Sequence, residues 1–276
     1  MSQVYDALQQ CIPGQAAQGT RQKRDAIDAL FPEQFADPGL GRDAAPTVQP
    51  NVASKDQMPT LFSTYSFASE QFRLLATRLQ QLRQSRALKS VLLTSSVAQE
   101  GRSLLILNLA MSLSQRGQQK VLVVDADLRK PGMCATLGVR ERAGLREWYQ
   151  SDRPIADFIF RIDGLSVWVL PAGSSSVDPL ELLKSPRTTS LFSSVSAAFD
   201  WVLMDSPPLI PLADAEVLSR IADGSIVVVR RDKSPKTVLK QALQRVDNSK
   251  MIGFLLNGFP SIGEPPDARS DNGQRL

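Results

Sequence analysis

Short, nearly continuous apolar runs recur along the chain from about residue 90 onward, and longer amphipathic segments separate them. Runs rich in Val, Leu and Ile without alternation are typical of strands that are buried on both faces. The pattern predicts strands at residues 91–94, 120–125, 165–171, 200–205, 225–230 and 252–257. It predicts helices at residues 103–116, 179–198, 213–221 and 235–248. The expected fold is therefore α/β, with three layers and a doubly wound, mostly parallel sheet.

A further helix is predicted ahead of the first strand. Between Ala68 and Leu82 the apolar residues follow one another at steps of three and four, which places them on one helix face. Glu70 and Arg73 lie off that face. Two interpretations stay open: a helix that only packs on the domain, or a helix whose polar face also joins subunits.

The two ends of the chain differ from the middle. Residues 1–60 contain a proline-punctuated, weakly apolar stretch and are expected to be flexible, with a short docking helix in RDAIDALFPEQF (24–35). Residues 61–260 are expected to form one domain. The polar tail, residues 261–276, is expected to be disordered.

Composition narrows the possible chemistry. The 276 residues include no histidine, which excludes Ser-His-Asp and Cys-His catalysis and histidine-bound metals. Two cysteines do not make a disulfide framework, and no apolar stretch is long enough for a spanning helix. The N-terminus lacks a secretory-signal pattern. A cytoplasmic protein is expected, and the net charge of +4 gives no reason to expect nucleic acid as a partner.

The first predicted strand runs into the loop SSVAQEGRS (95–103). A tight loop between a strand and a helix that starts near Gly101 would aim N–H groups and the positive end of the helix at an anion. Ser103, in the first helical turn, could place its hydroxyl on a magnesium ion. By itself the loop also fits an ordinary strand-to-helix connection.

Two more strands end in carboxylates. Asp125 and Asp127 are two positions apart at the end of the second strand, and Asp205 ends the strand DWVLMD. Buried carboxylates are costly without a cation, which favours a metal or proton-transfer role over a solvated turn. Arg129 and Lys130 follow the first pair and could face phosphates or balance the aspartates.

The order of these motifs resembles the deviant-Walker ATPases of the ParA and MinD superfamily, and within it the bacterial tyrosine kinases of capsule and exopolysaccharide synthesis. The resemblance rests on EQFRLLATRL (70–79), TSSVAQEGRS (94–103), VLVVDADLRKP (121–131), FDWVLMDSPPL (199–209) and FLLN (254–257). It implies a P-loop nucleotide-binding fold, and ATP or ADP with Mg²⁺ as cofactors.

The resemblance also assigns roles to residues. It implies that the nucleotide is bound by Ser96, Gln99, Glu100, Gly101, Arg102, Ser103, Leu104 and Asn257. Ser103, Asp125 and Asp205 would hold Mg²⁺, while Asp125, Asp127 and Arg102 would be catalytic. The implied partner is a membrane polysaccharide copolymerase, or chain-length regulator, that recruits the protein to the inner face of the cytoplasmic membrane. Self-association through the helix around Glu70–Arg73 is implied as well.

Four departures from the family pattern leave the activity open. Arg102 stands in place of the Walker lysine, Gln99 in place of a glycine and Ala76 in place of an arginine, and no tyrosine follows Tyr149. One hypothesis is an ATP-hydrolysing, tyrosine kinase-like regulator of polysaccharide polymerisation and export. A second is a catalytically impaired binding module on the same fold, and a third is a positioning ATPase like MinD or ParA.

Overall fold

The computed structural model describes residues 45–53, 57–62, 66–114, 119–231 and 233–258. Within these residues one eight-stranded sheet has the order β1-β4-β5-β3-β6-β2-β7-β8. The strands are β1 (Thr47–Val48), β2 (Ser90–Ser95), β3 (Val121–Asp125), β4 (Phe160–Ile162), β5 (Val167–Leu170), β6 (Trp201–Asp205), β7 (Gly224–Arg230) and β8 (Met251–Asn257). All neighbouring strands are parallel except β4 and β5. The predicted mostly parallel sheet is confirmed.

Helices cover both faces of the sheet. They are α1 (Pro59–Phe62), α2 (Phe67–Ser85), α3 (Arg102–Ser114), α4 (Met133–Leu137), α5 (Leu145–Tyr149), α6 (Pro179–Lys184), α7 (Pro186–Ala198), α8 (Asp214–Ile221) and α9 (Lys236–Leu243). Single 3₁₀ turns occur at Ile155–Phe158 and Asn248–Lys250.

Alternate residues of each central strand enter opposite cores. In β2, Val91 and Leu93 pack with α2 and α3, whereas Leu92 faces the core formed with α6, α7 and α8. Both cores consist mainly of buried aliphatic side chains, with some aromatic ones, which explains why the strands read as continuous apolar runs. The three-layer arrangement follows from this double burial.

The helix predicted over residues 179–198 is two helices. Pro186 lacks the N–H that a continuous helix needs, and its ring disfavours helical geometry at Ser185. Ser185 has an extended backbone instead, and its hydroxyl accepts a hydrogen bond from the Thr188 N–H, so it begins α7. The single-helix prediction was wrong at this position.

The described part of the N-terminal region packs on the domain. Met58 is fully buried, the Asn51 N–H donates to the Leu137 carbonyl, and β1 adds to the edge of the sheet beside β4. The predicted docking helix (24–35) and tail (261–276) lie outside the described residues, and the domain limits at 61 and 260 stay predictions.

Helix α2 spans four residues more than its apolar stripe, one before Ala68 and three after Leu82. Ala76 and Leu79 are buried against α3, and Glu70 and Arg73 form an exposed ion pair with 2.5 Å between Oε1 and Nη1. Self-association through this polar face stays a prediction. None of the described helices combines the length and hydropathy required to cross a bilayer.

Candidate functional site

The three predicted motifs meet at one edge of the sheet. Strands β3, β6 and β2 are adjacent and parallel, so their carboxyl ends lie side by side. Asp125 at the end of β3 is in register with Asp205 at the end of β6. Ligands of open α/β sheets bind at this edge, because the loops that leave the strands surround it.

The loop after β2 needs two residues with left-handed backbones. Gly101 has φ +89°, and a Cβ there would lie 2.5 Å from the side-chain nitrogen of Asn257. Gln99 has φ +63°, the one positive value at a non-glycine residue in the described chain. This conformation costs an L-residue about 1–2 kcal/mol. Gln99 therefore has a backbone conformation that glycine would adopt without this cost. Its side chain accepts a hydrogen bond from Lys233 Nζ at 2.9 Å.

Glu100 anchors this loop to the neighbouring strand β7. Its fully buried carboxylate accepts hydrogen bonds from the Val97 N–H at 3.3 Å, the Ser96 hydroxyl at 3.4 Å, the Arg230 N–H at 3.5 Å and the Ser234 hydroxyl. Glu100 and Ser96 thus fix the shape of the loop. The nucleotide contacts that the resemblance implies for them stay predictions.

Two other predicted nucleotide ligands also have structural contacts. Asn257 donates from its side-chain nitrogen to the Glu100 carbonyl at 2.8 Å. Leu104, in the first turn of α3, packs its side chain against the core on that side of the sheet. Asn257 therefore closes the loop from β8, and its contact with a base stays a prediction.

The Arg102 guanidinium is buried between the loop and two carboxylates. Nη1 donates to the Ser95 hydroxyl and, at 3.3 Å, to the Val97 carbonyl, while Nη2 donates to Asp127 Oδ2 at 3.2 Å. Nε lies 3.7 Å from Asp205 Oδ1 but makes no hydrogen bond. Asp125, Asp127 and Asp205 form an acidic cluster, and Arg102 neutralises part of its charge.

The pKa values of the three carboxylates in this cluster are raised above their usual range. Burial, reinforced by the neighbouring Asp205, raises the pKa of Asp125 to about 7. Burial also raises the pKa of Asp205 to about 6, against the opposing effects of Arg102 and Ser103. Burial raises the pKa of Asp127 too, although the Lys130 N–H donates to its Oδ1 at 3.1 Å.

These residues fit a magnesium ion. Asp125 Oδ2 accepts from the N–H groups of Gly132 and Met133, but the buried Oδ1 atoms of Asp125 and Asp205 have no hydrogen-bond partner. The Ser103 hydroxyl donates to Asp205 Oδ2, which completes a set of oxygen ligands of the kind Mg²⁺ prefers. The described residues contain no cluster of three or more acidic or cysteine side chains that would hold a metal alone. Phosphate and water would supply the remaining ligands, as is usual for this ion.

The partners of the basic residues are not evident from the sequence. Arg129 pairs with the buried Asp214, with 2.5 Å from Nε to Oδ2 and 3.1 Å from Nη2 to Oδ1. An aspartate in the first turn of a predicted helix was the available signal, since acidic residues favour helix N-termini. Nothing in the sequence indicates that Arg102 donates a hydrogen bond to Ser95, or that Glu100 accepts one from Ser234.

Known proteins with similar sequences belong to the group that the sequence motifs resemble. The family model described as cellulose biosynthesis protein BcsQ matches residues 88–261. The tyrosine-protein kinase YwqD of Bacillus subtilis is 33% identical over 195 residues, which are 70% of this chain and 82% of YwqD. The succinoglycan biosynthesis transport protein ExoP of Rhizobium meliloti is 30% identical over 194 residues, 68% of this chain but 25% of ExoP.

Solved structures agree on the fold. The chimeric protein CapA2B2 superposes with a TM-score of 0.70 at 24% identity, covering 83% of this chain and 99% of that one. MinD of Pyrococcus horikoshii in complex with Mg-ADP superposes with a TM-score of 0.53 at 23% identity, covering 65% of this chain and 75% of MinD. At such low identity a superposition is informative about the fold alone. These superpositions confirm the predicted ParA/MinD-like fold.

Proposed function

This chain belongs to the family of the cellulose biosynthesis protein BcsQ, within the ParA/MinD-like deviant-Walker superfamily that includes the bacterial tyrosine kinases, and we propose that it is an Mg-ATP-binding regulator of exopolysaccharide polymerisation and export. The observation that carries the proposal is the meeting of Ser103, Asp125 and Asp205 at adjacent strand ends, with two buried carboxylate oxygens that lack partners. A domain without a ligand at this position would gain nothing from so costly an arrangement.

Each residue of the site has a task in this proposal. The loop Gln99–Ser103 and the start of α3 bind the phosphates through N–H groups, and Ser103, Asp125 and Asp205 hold Mg²⁺. Bound Mg²⁺ would neutralise the charge that develops on the transferred phosphoryl group. Asp127 is oriented by Arg102 and the Lys130 N–H, and in this proposal it would act on the attacking water or hydroxyl group.

Arg102 lowers the expected rate. A guanidinium that already bonds to Ser95, Val97 and Asp127 must exchange these partners before it can reach a phosphate. Lysine has a compact ammonium group that moves more freely. We therefore propose slow turnover. The contacts of Arg102 equally favour a second candidate function, a nucleotide-binding module with impaired catalysis that regulates its partner by contact.

The proposed partner is a membrane polysaccharide copolymerase. The relative ExoP is named as a transport protein of succinoglycan biosynthesis, and this chain matches only a quarter of it. Binding to such a partner would place the protein at the inner face of the cytoplasmic membrane. The polar face of α2 around Glu70 and Arg73 is the proposed surface for self-association.

The test is ATP binding and turnover with Mg²⁺ by the wild type, Arg102→Lys and Asp125→Ala. We expect Arg102→Lys to raise turnover about tenfold, equivalent to about 1.4 kcal/mol in the barrier. We expect Asp125→Ala to abolish turnover. Arg220→Lys, on the exposed face of α8, is the matched control and should change nothing.

Two results would distinguish between the two candidate functions or exclude both of them. Measurable ATP binding without turnover in either the wild type or Arg102→Lys would favour the impaired module. No ATP binding by the wild type, together with normal polymer production in cells that carry Asp125→Ala, would exclude the proposed function.

A further inference from the structure

The cation that normally contacts the terminal phosphates in a P-loop is already engaged here. In such loops a lysine after the last glycine reaches the β- and γ-phosphates. Arg102 occupies that position in this chain. Its buried guanidinium donates to Ser95, Val97 and Asp127. Because Arg102 compensates a carboxylate inside the domain, a bound nucleoside triphosphate needs another positive group at its terminal phosphates.

Lys233 is an exposed basic residue beside the same loop. It lies between β7 and α9, and its Nζ donates to Gln99 Oε1 at 2.9 Å. Among the basic side chains of the described residues, only Arg102 and Lys233 form hydrogen bonds to the loop at 95–103. Strand β7 pairs directly with β2, so the segment that carries Lys233 and the loop leave adjacent parallel strands at the same edge of the sheet.

The backbone around Lys233 is fixed to the loop through Glu100. The Glu100 carboxylate accepts hydrogen bonds from the Arg230 N–H at 3.5 Å and from the Ser234 hydroxyl. Within this turn, the Lys233 N–H donates to the Arg230 carbonyl at 3.2 Å, and the Arg230 N–H donates to the Ser234 hydroxyl at 3.0 Å. The turn therefore holds Lys233 at the loop while its side chain stays in contact with solvent.

The ammonium group of Lys233 can exchange its present partner for a phosphate. No carboxylate of the described residues forms an ion pair with it. Its partner is a neutral amide on an exposed side chain, whereas a hydrogen bond to a phosphate oxygen joins two opposite charges and is stronger. Lysine also has a flexible stem and a compact ammonium group, so it can turn from Gln99 towards a nucleotide in the loop.

We propose that Lys233 binds the terminal phosphates of the nucleotide and takes the place that the Walker lysine has in other P-loops. Gln99 would hold the ammonium group beside the loop until the nucleotide displaces it. The inference rests on the proposed function, since it requires a nucleotide at this loop. It adds a nucleotide-binding residue that lies outside the predicted motifs.

The test is the binding of two fluorescent nucleotides, N-methylanthraniloyl (mant) ATP and mant-AMP, to the full chain with Mg²⁺ present. We expect Lys233→Gln to weaken mant-ATP binding about tenfold, equivalent to about 1.4 kcal/mol, because glutamine carries no charge. Binding of mant-AMP should stay unchanged, since AMP lacks the β- and γ-phosphates. Lys233→Arg keeps the positive charge and should retain most of the affinity for mant-ATP.

Salt gives a second measurement of the same contact. The dissociation constant of mant-ATP should rise less steeply with NaCl in Lys233→Gln than in the wild type, because ions screen a contact between charges. Lys240→Gln removes the same charge from an exposed position of α9, and it should behave like the wild type in both measurements.

Three results would overturn the inference. The first is equal affinity of the wild type and Lys233→Gln for mant-ATP. The second is an equal loss of affinity for mant-ATP and mant-AMP, which would indicate a change in the shape of the loop. The third is an unchanged salt dependence in Lys233→Gln. If Lys233→Gln does not fold, Lys233→Ala replaces it, and if mant-AMP binds too weakly to measure, the salt dependence decides.

The wild type tests the proposed function separately. A wild type that binds mant-ATP with the same affinity as Lys233→Gln contradicts this inference and leaves the proposed function standing. A wild type that binds no mant-ATP contradicts the proposed function, and the inference with it.

Discussion

Asp125 shows how a single residue at this site affects the whole domain. It lies in the core at the end of β3, with one oxygen bonded to two N–H groups and the other without a partner. An ionised carboxylate in that position is costly, so burial raises its pKa to about 7. The same property makes the residue a good ligand for a cation.

We therefore expect stability to fall as pH rises from about 4 to about 7 in the absence of Mg²⁺. The unfolded chain releases the Asp125 proton near pH 3.8 and the folded chain near pH 7. Between these values unfolding releases a proton, so each pH unit lowers the free energy of unfolding by up to about 1.4 kcal/mol. Urea denaturation at several pH values measures this slope.

Asp125→Asn should flatten that dependence, because asparagine does not titrate. Asp157→Asn, which alters a surface ion pair with Arg153, is the control and should preserve the slope. An identical slope in the wild type and in Asp125→Asn would contradict the assignment of the shift to Asp125.

Some residues of the site are predictable from the sequence motifs alone. Ser103, Asp125, Asp127 and Asp205 could be singled out because strand ends of one parallel sheet must meet at one edge. The contacts of Arg102 could not be predicted, since a long side chain can reach many acceptors. The fold decides which acceptors are near, and here they are Ser95, Val97 and Asp127.

At the scale of elements, α3 joins the nucleotide loop to the segment ahead of α2. Asn108 is buried in α3 and donates to the carbonyls of Gln57 and Leu104, each at 2.9 Å. Its side-chain oxygen accepts from the Thr60 N–H at 3.3 Å and from the Thr60 hydroxyl. This buried polar side chain in the middle of α3 thus positions the chain around residues 57–60.

We expect Asn108→Ala to lower the free energy of unfolding by about 1–3 kcal/mol, since buried groups of the segment lose their partner. Chemical denaturation measures this, and proteolysis should cut the segment before Met58 faster. Asn248→Ala, at an exposed 3₁₀ turn, is the matched control. Equal stability of both variants would show that Asn108 does not hold the segment.

The elements divide into those with a long pattern and those without one. Strands β2, β3, β5, β6, β7 and β8 were predicted within a few residues because each is an apolar run. Strands β1 and β4 have two and three residues, too few to form a pattern, and they exist because they pair with each other at the sheet edge. The break at Ser185 could have been found, since proline restricts the preceding residue.

At the scale of the whole molecule, ligand binding should stabilise the domain because the site exists only when β2, β3 and β6 are assembled. Mg-ATP at about 100 times its dissociation constant would add about 2.7 kcal/mol. For a chain of this size that corresponds to a rise in Tm of roughly 5–10 °C. Differential scanning fluorimetry with Mg-ATP, and with ATP and EDTA, measures the rise and its dependence on the metal.

Asp205→Asn should lose the metal-dependent part of this rise while it keeps the fold. Arg220→Gln provides a charge-changing surface control with the full rise expected. The same Tm with and without Mg-ATP in the wild type would contradict nucleotide binding at this site.

The sequence by itself determined the fold class, the parallel sheet and the carboxylates at the strand ends, because burial and strand polarity are local patterns repeated along the chain. Only the tertiary structure decided the strand order, the neutralisation of the acidic cluster by Arg102, the anchoring of the loop through Glu100 to Ser234 and the contact of Lys233 with Gln99. These features join residues far apart in the chain. Their contacts depend on how strands and helices pack, and no local pattern records that.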